Sequence, residues 1–249
     1  MRKPLQRTDF PRSRYIAIEL SHRIIYIIYM NQTNKSKFGE LAAKYYERND
    51  PTGWFEELYN TAEGDESTIP WAHLKVNPNL ADWIVDRDLQ GKNKTALVVG
   101  CGLGDDAEAL SKLGFKVVAF DIAPTAIAWC QKRFPNSSVN YLTDDLLHPQ
   151  VISDRQYDFI LESYTLQAIP ATIRPQGIKS ISRLLAPGGR LLIICRGRDA
   201  SQPATGLPFP LLKQELNYFQ ELGLQEVNFE DYQEGESTPV RRFRIEYTL

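Results

Sequence analysis

The feature that most constrains this chain is a glycine-rich loop, Gly100-Cys101-Gly102-Leu103-Gly104, between an apolar run and a helical pattern. Ala96-Leu97-Val98-Val99 precedes it, a continuous apolar run of the kind found in strands buried on both faces. Residues 105–113 follow as a helix. Asp105, Asp106 and Glu108 suit the positive end of its dipole, Lys112 suits the other end, and Gly114 stops it. Three alternate glycines let the backbone turn tightly and approach a ligand more closely than a Cβ would allow. The helix start behind them offers free N–H groups. The spacing is G-x-G-x-G, not the dinucleotide G-x-G-x-x-G.

The strand–helix alternation then repeats. A second strand is read at residues 116–120, and a helix begins with Pro124 in its first turn and ends before Pro135. Further strands are read near residues 139–142, 157–161 and 190–195, with a helix near 175–185 and a tight turn at Leu185-Ala186-Pro187-Gly188-Gly189. This is an α/β chain with a doubly wound, mostly parallel sheet. The ending differs. Leu212, Leu216 and Phe219 mark one more helix, closed by Gly223. Val227 and Phe229 share one face of an alternating segment. Phe243, Ile245, Tyr247 and Leu249 share a face of another, with Arg242, Arg244 and Glu246 opposite. The few turn residues around Gly235-Glu236-Ser237 make the pair an antiparallel hairpin. Upstream, Phe38, Leu41, Ala42 and Tyr45 stand at helical spacing, Trp54, Phe55, Leu58 and Tyr59 form a second face, and Leu80, Trp83 and Ile84 a third. This aromatic-rich segment reads as a helical cap on the core, a lid over a ligand, or both.

The 249 residues bury a substantial core unaided, and 43% apolar with 24% charged residues excludes a disordered chain. Residues 1–37 hold eight basic and two acidic side chains and read as a basic, flexible extension; residues 38–249 read as one domain, with a cap over 38–93 and an α/β core over 94–249. The two methionines, Met1 and Met30, raise the expectation that the working protein starts at Met30. The acidic body disfavours nucleic acid, whose binding rests on neutralised phosphates. No apolar run approaches the ~20 residues of a membrane span. Cys101, Cys130 and Cys195 include no C-x-x-C, and His22, His73 and His148 are dispersed. That excludes a disulfide framework and a metal cluster, and fits a reducing, cytoplasmic compartment.

In open parallel sheets ligands bind at the carboxyl ends of the strands. The second strand ends in Asp121, 21 residues beyond Gly100, where an acid can accept both hydroxyls of a ribose. Asp144-Asp145-Leu146 follows the third strand, where a carboxylate can accept a bond from an adenine amino group. With the glycine loop and the turn before the fifth strand, these features resemble the class I S-adenosylmethionine-dependent methyltransferases over about residues 94–249. The resemblance implies a seven-stranded sheet with its last strand antiparallel, and S-adenosyl-L-methionine as cofactor. It implies that Gly100, Cys101, Gly102 and Gly104 cradle the methionine and ribose, that Asp121 with Ile122 holds the ribose, and that Asp145 and Leu146 lie by the adenine. The chain departs from the family at Val98, where an acid usually stands; Asp105 or backbone carbonyls are the substitutes for holding the methionine ammonium. Upstream, Trp54-Phe55-Glu56-Glu57-Leu58-Tyr59 and Ile69-Pro70-Trp71 resemble the aromatic segment of the thiopurine and thiol S-methyltransferases. In that branch the segment folds over the cofactor, which places Trp54 and Trp71 against it.

Two readings stand for each remaining candidate. Glu162, closing the fourth strand, orients an acceptor, acts as base or faces the sulfonium, or is a hydrogen-bonded structural acid. Tyr164 beside it is the other candidate base. Arg196 and Arg198, after the fifth strand, clamp an anionic substrate or pair at the surface, with Asp199 at hand. Cys101 suits a small filler better than a reactive thiol. The expected activity is methyl transfer to a small molecule, a thiol or another soft nucleophile, or else an oxygen or nitrogen acceptor. The rivals are a nicotinamide-dependent oxidoreductase and a non-catalytic cofactor-binding module. The residues leave the oligomeric state open.

Overall fold

A computed structural model describes residues 37–152, 156–204, 206–235 and 239–249. The basic extension before residue 37, Met30, and Glu236 and Ser237 of the expected hairpin turn lie outside the described residues.

Three helices lead in: α1 (Lys37–Glu47), α2 (Gly53–Thr61) and α3 (Pro78–Asp86). The alternating body follows: β1 (Thr95–Val99), α4 (Asp105–Lys112), β2 (Lys116–Asp121), α5 (Pro124–Arg133), β3 (Asn140–Thr143), β4 (Tyr157–Ser163), α6 (Arg174–Leu184) and β5 (Leu185–Arg196). Two single-turn helices, α7 (Lys213–Leu216) and α8 (Tyr218–Glu221), precede β6 (Gln225–Glu234) and β7 (Val240–Thr248). The seven strands form one sheet in the order β3-β2-β1-β4-β5-β7-β6. Strands β1 to β5 run parallel, and β7 runs antiparallel to both β5 and β6.

The alternation of each strand splits the core between two layers. Leu97, Val99, Ile160, Leu191 and Ile193 point to one face, against Ile178 and Ile181 of α6 and Leu216 and Phe219 of α7 and α8. Ala96, Val98, Phe159, Leu161 and Ile194 point to the other, against Trp83 of α3, Leu110 of α4 and Ile127 of α5. Trp83 stacks on Phe159 with ring centroids 5.5 Å apart. Burying whole aromatic and branched side chains here contributes about 1.5–3 kcal/mol each.

Three local expectations change. The turn before β5 is a bulge inside the strand: Tyr157 pairs with Leu185, and Phe159 with Arg190. Gly188, at φ +73°, makes that excursion possible, and its N–H donates to Leu249 O at 3.0 Å. A second register shift, between Glu226 and Asn228, turns Val227 out to solvent, away from Phe229. The helix expected from Leu212 breaks at Asn217 into two single turns. The polar face of β7 is covered by α3. Arg244 donates to Asn79 O at 2.9 Å, and Arg87 reaches Glu246 at 3.1 Å.

Candidate functional site

The strand order reverses between β1 and β4, where successive connections leave to opposite sides and open a crevice at the carboxyl ends. A cleft of 660 Å³ lies there. That is within the range of about 300–1,000 Å³ usual for small-molecule sites.

The glycine loop forms its floor. Gly100 and Gly102 take φ of +58° and +54°. A Cβ on Gly100 would stand 2.3 Å from Thr165 Oγ1, and the Thr165 hydroxyl donates to Val99 O at 3.0 Å, so the β4 loop closes directly on the glycine. Gly102 N–H donates to Asp121 Oδ2 at 2.9 Å, and Ala123 N–H to Oδ1 at 3.0 Å. These two bonds hold the carboxylate at the end of β2, buried on the cleft wall, with acceptor lone pairs left over. Burial pushes its pKa up to about 6, against the pull of the backbone N–H groups of Ala123, Gly102 and Ile122.

Asp144 and Asp145 separate in role. Burial pushes Asp144 up, but N–H groups of Gln150, Ile152, Val151 and Asp145 outweigh it and hold the carboxyl below its ordinary pKa. Asp144 therefore staples its own loop. Asp145 accepts from Leu147 N–H at 2.8 Å, faces His148 Nδ1 at 3.1 Å and stays part-exposed on the cleft wall beside Leu146.

The cap closes the opposite side. Trp54 stacks on Phe55 at 3.9 Å between ring centroids, and Trp71 lies edge-on to both at 6.1 Å. Trp71 Nε1–H donates to Tyr59 Oη at 2.7 Å. A Cβ on Gly102 would lie 3.4 Å from that Tyr59 oxygen and 3.8 Å from Trp71, so the aromatics roof the glycine loop. Glu56 pins α2 in place by accepting from Thr125 N–H at 3.0 Å and Thr125 Oγ1 at 2.6 Å, which caps the start of α5 from another element.

The cleft thus gathers Trp54, Trp71, Gly100, Cys101, Gly102 and Gly104, and with them Asp121, Ile122, Asp145, Leu146, Tyr164 and Arg196. Two candidates fall outside it. Glu162 continues the alternation of Ile160 and points beneath the turn after β4, where its Oε1 accepts from Thr165 and Leu166 N–H at 2.8 and 2.9 Å. Burial raises its pKa to about 7 despite those bonds and the nearby Arg174 charge. Arg198 is consumed by its own loop, donating to Pro210 O at 3.0 Å and Gln202 O at 2.9 Å. Asp105, offered in place of an acid at Val98, is held by both guanidinium arms of Arg133 at 2.9 Å.

Several residues on the wall were given no site role from sequence. Asp106 faces the cleft, accepts from Asn77 N–H at 2.7 Å, and is pushed by burial to about pKa 6. Arg242 of β7 lies over the Tyr164 ring at 5.1 Å and pairs with Glu234 at 2.6 Å. Asn79 joins Glu234 and Tyr164 at 3.1 and 3.4 Å. These contacts bridge residues up to 155 positions apart, so no local spacing announces them.

A molecule with a ribose, an adenine-like ring and a charged tail fits this arrangement. The glycine floor allows close approach, Asp121 offers an acceptor for hydroxyls, and Asp145 and Leu146 flank the far end. Among the described residues no group of three or more His, Cys, Asp or Glu is arranged to hold a metal. No helix among them is long and apolar enough to cross a membrane.

Residues 96–189 match the family described as a methyltransferase domain. Over 134 residues the chain is 29% identical to the probable thiol methyltransferase 2 of Arabidopsis thaliana, covering 52% of this chain and 58% of that protein. Over 93 residues it is 38% identical to the thiopurine S-methyltransferase of Vibrio atlanticus, covering 37% of this chain and 41% of that protein. The match therefore spans about half the length of these curated relatives. Among solved structures, the N-methyltransferase NodS of Bradyrhizobium japonicum WM9, in complex with S-adenosyl-L-homocysteine, superposes with a TM-score of 0.58 at 21% identity, over 76% of this chain and 97% of that one.

Proposed function

We propose that this chain, whose residues 96–189 carry a methyltransferase domain on a methyltransferase fold, transfers a methyl group from S-adenosyl-L-methionine to a small molecule with a soft nucleophile, a thiol foremost. The observation that carries the reading is Asp121: a buried carboxylate at the β2 end, held by the glycine loop, with acceptor capacity left on the cleft wall. When bound, the cofactor supplies a methyl group on a sulfonium for in-line attack.

The protein's part is binding, alignment and exclusion of water. Gly100, Cys101, Gly102 and Gly104 hold the floor, Asp121 and Ile122 the ribose end, and Asp145 and Leu146 the adenine end. Asp106, which pairs with no cation among the described residues, replaces the missing acid at Val98 as partner for the methionine ammonium. Trp54, Phe55 and Trp71 roof the site against water. Neither base read from sequence suits the task. Glu162 lies outside the cleft, and burial raises the Tyr164 phenol, which favours its protonated, donating form. An acceptor that arrives already ionised needs no base, and a thiol ionises near neutral pH far more readily than an alcohol. The matches to a thiol and a thiopurine S-methyltransferase favour the same acceptor atom. A cytoplasmic location belongs to this reading, since free thiol acceptors persist in a reducing compartment.

The test is a calorimetric titration with S-adenosylmethionine and NAD, followed by isotopically labelled methyl donor in cell extract with product identification by mass spectrometry. The reading expects binding of the first ligand alone and a labelled thioether. Binding of NAD instead, or cofactor binding without any labelled product, contradicts it.

A further inference from the structure

Apart from the exposed Lys75 and His73 on the loop before α3, the charged side chains of the cleft sort by strand. The five aspartates on its wall, Asp105, Asp106, Asp121, Asp144 and Asp145, stand at or just beyond the ends of β1, β2 and β3. Over β5, β6 and β7 the charged side chains are Arg196, Glu234 and Arg242. Glu234 is spoken for, because Arg242 pairs with it at 2.6 Å and Asn79 donates to it at 3.1 Å. Arg196 is different. Its backbone N–H donates to Gln167 Oε1 at 2.6 Å, yet its guanidinium has no hydrogen-bond or ion-pair partner among the described residues. The charged or ionisable groups beside it are Arg242 and the phenol of Tyr164. Other part-buried arginines here are all engaged: Arg133 by Asp105, Arg174 by Glu215, Arg244 by Glu230 and Arg198 by loop carbonyls. Holding a part-buried guanidinium beside that of Arg242, with no protein carboxylate to answer it, is unfavourable, and an arriving anion would offset this.

Resting on the methyltransferase reading, we propose that the methyl acceptor carries a carboxylate or equivalent oxyanion in addition to its nucleophile, and that Arg196 seats that group. The planar guanidinium fork matches a carboxylate with two parallel N–H···O bonds. Tyr164 and Arg242 flank the seat, and Leu207 and Pro208 supply an apolar wall for the acceptor's body. The floor of glycines holds the donor at the opposite, acidic end, so the two partners meet between β1 and β5.

Two isosteric thiols test this, 3-mercaptopropionate and its neutral amide, 3-mercaptopropionamide. Each is offered to the purified full chain with labelled S-adenosylmethionine, and S-adenosylhomocysteine affinity is measured by calorimetry on every variant. The carboxylate should be favoured in kcat/KM by about tenfold or more, carried mainly by KM. Arg196→Gln should bring the ratio near one, Arg196→Lys should recover only part of it, and Arg198→Gln should preserve it. Unchanged S-adenosylhomocysteine affinity in the variants shows that the cofactor end is intact. Binding of S-adenosylhomocysteine with equal turnover of the two thiols, or turnover of neither, overturns the anionic acceptor and leaves the cofactor reading standing. Failure of the parent chain to bind S-adenosylhomocysteine overturns the reading beneath it.

Discussion

Glu162 has no exposed surface; one carboxylate oxygen accepts two N–H groups, and the other has no partner among the described residues. Its pKa, about 7 in the fold against an ordinary 4.5, sets the sign of a pH effect. The fold favours the protonated form, so the stability this brings is present below about pH 4.5 and is lost as pH rises through about 7. Glu162→Gln stays neutral and keeps both acceptor bonds. Its melting temperature should therefore gain on the parent's between pH 5 and pH 8, by about 2–4 °C per kcal/mol. An equal gap at both pH values in a thermal melt contradicts this. Asp106 makes a prediction for the cleft itself. Asp106→Asn should weaken S-adenosylhomocysteine about tenfold, the scale of one charge-assisted bond, and leave 5′-methylthioadenosine, which lacks the ammonium, unaffected. Equal losses for both ligands would remove Asp106 from the ammonium. Glu162 and Asp106 also show how far the site was legible in the sequence, which offered the structural acid as one of two readings of Glu162 and assigned Asp106 only to the helix dipole. Strand alternation carries through the last residues of β4, so Glu162 shares the face of Ile160, and that much was legible. The freedom of Asp106 was not, because Arg133 claims its neighbour Asp105 from 28 residues away.

At the scale of elements, the glycine loop, β1, β2, α4 and α5 follow from local pattern: apolar runs, a glycine stop and a proline start. The bulges in β5 and β6 do not, since a register shift depends on the partner strand and leaves the residue pattern ordinary. The seat of α2 is equally non-local. Glu56 and Thr125 lie 69 residues apart, yet this one carboxylate both caps α5 and fixes the aromatic roof. Glu56→Ala should cost about 0.5–2 kcal/mol, the scale of a lost cap, and lower S-adenosylhomocysteine affinity through a loosened Trp54–Trp71 cluster. Chemical denaturation and calorimetry on the same variant check both. A variant that loses stability while binding as tightly as the parent would detach the roof from the site.

For the whole molecule, the reversal of strand order between β1 and β4 puts the glycine floor, Asp121 and Asp145 on one side of a crevice and Tyr164, Arg196 and Arg242 on the other. The parallel body and terminal hairpin were readable from alternation and turn residues. The covering of the β7 polar face by α3 was not, because charged residues on an alternating strand ordinarily face water. Arg244, nearly buried between Glu230, Asp86 and Asn79 O, ties cap to sheet. Arg244→Ala should cost about 1–3 kcal/mol, chiefly by leaving the buried Asn79 carbonyl without its donor while the part-exposed Glu230 turns to water, measured by denaturant unfolding. A cost under 1 kcal/mol would show the pairing to be peripheral. The central claim concerns Asp121. The most direct test is calorimetric titration of S-adenosylhomocysteine into the parent chain and Asp121→Ala, with folding of each checked by thermal melt. Binding to the parent, weakened about 10- to 100-fold in a folded variant, is the predicted result; equal affinity in the two proteins would contradict it.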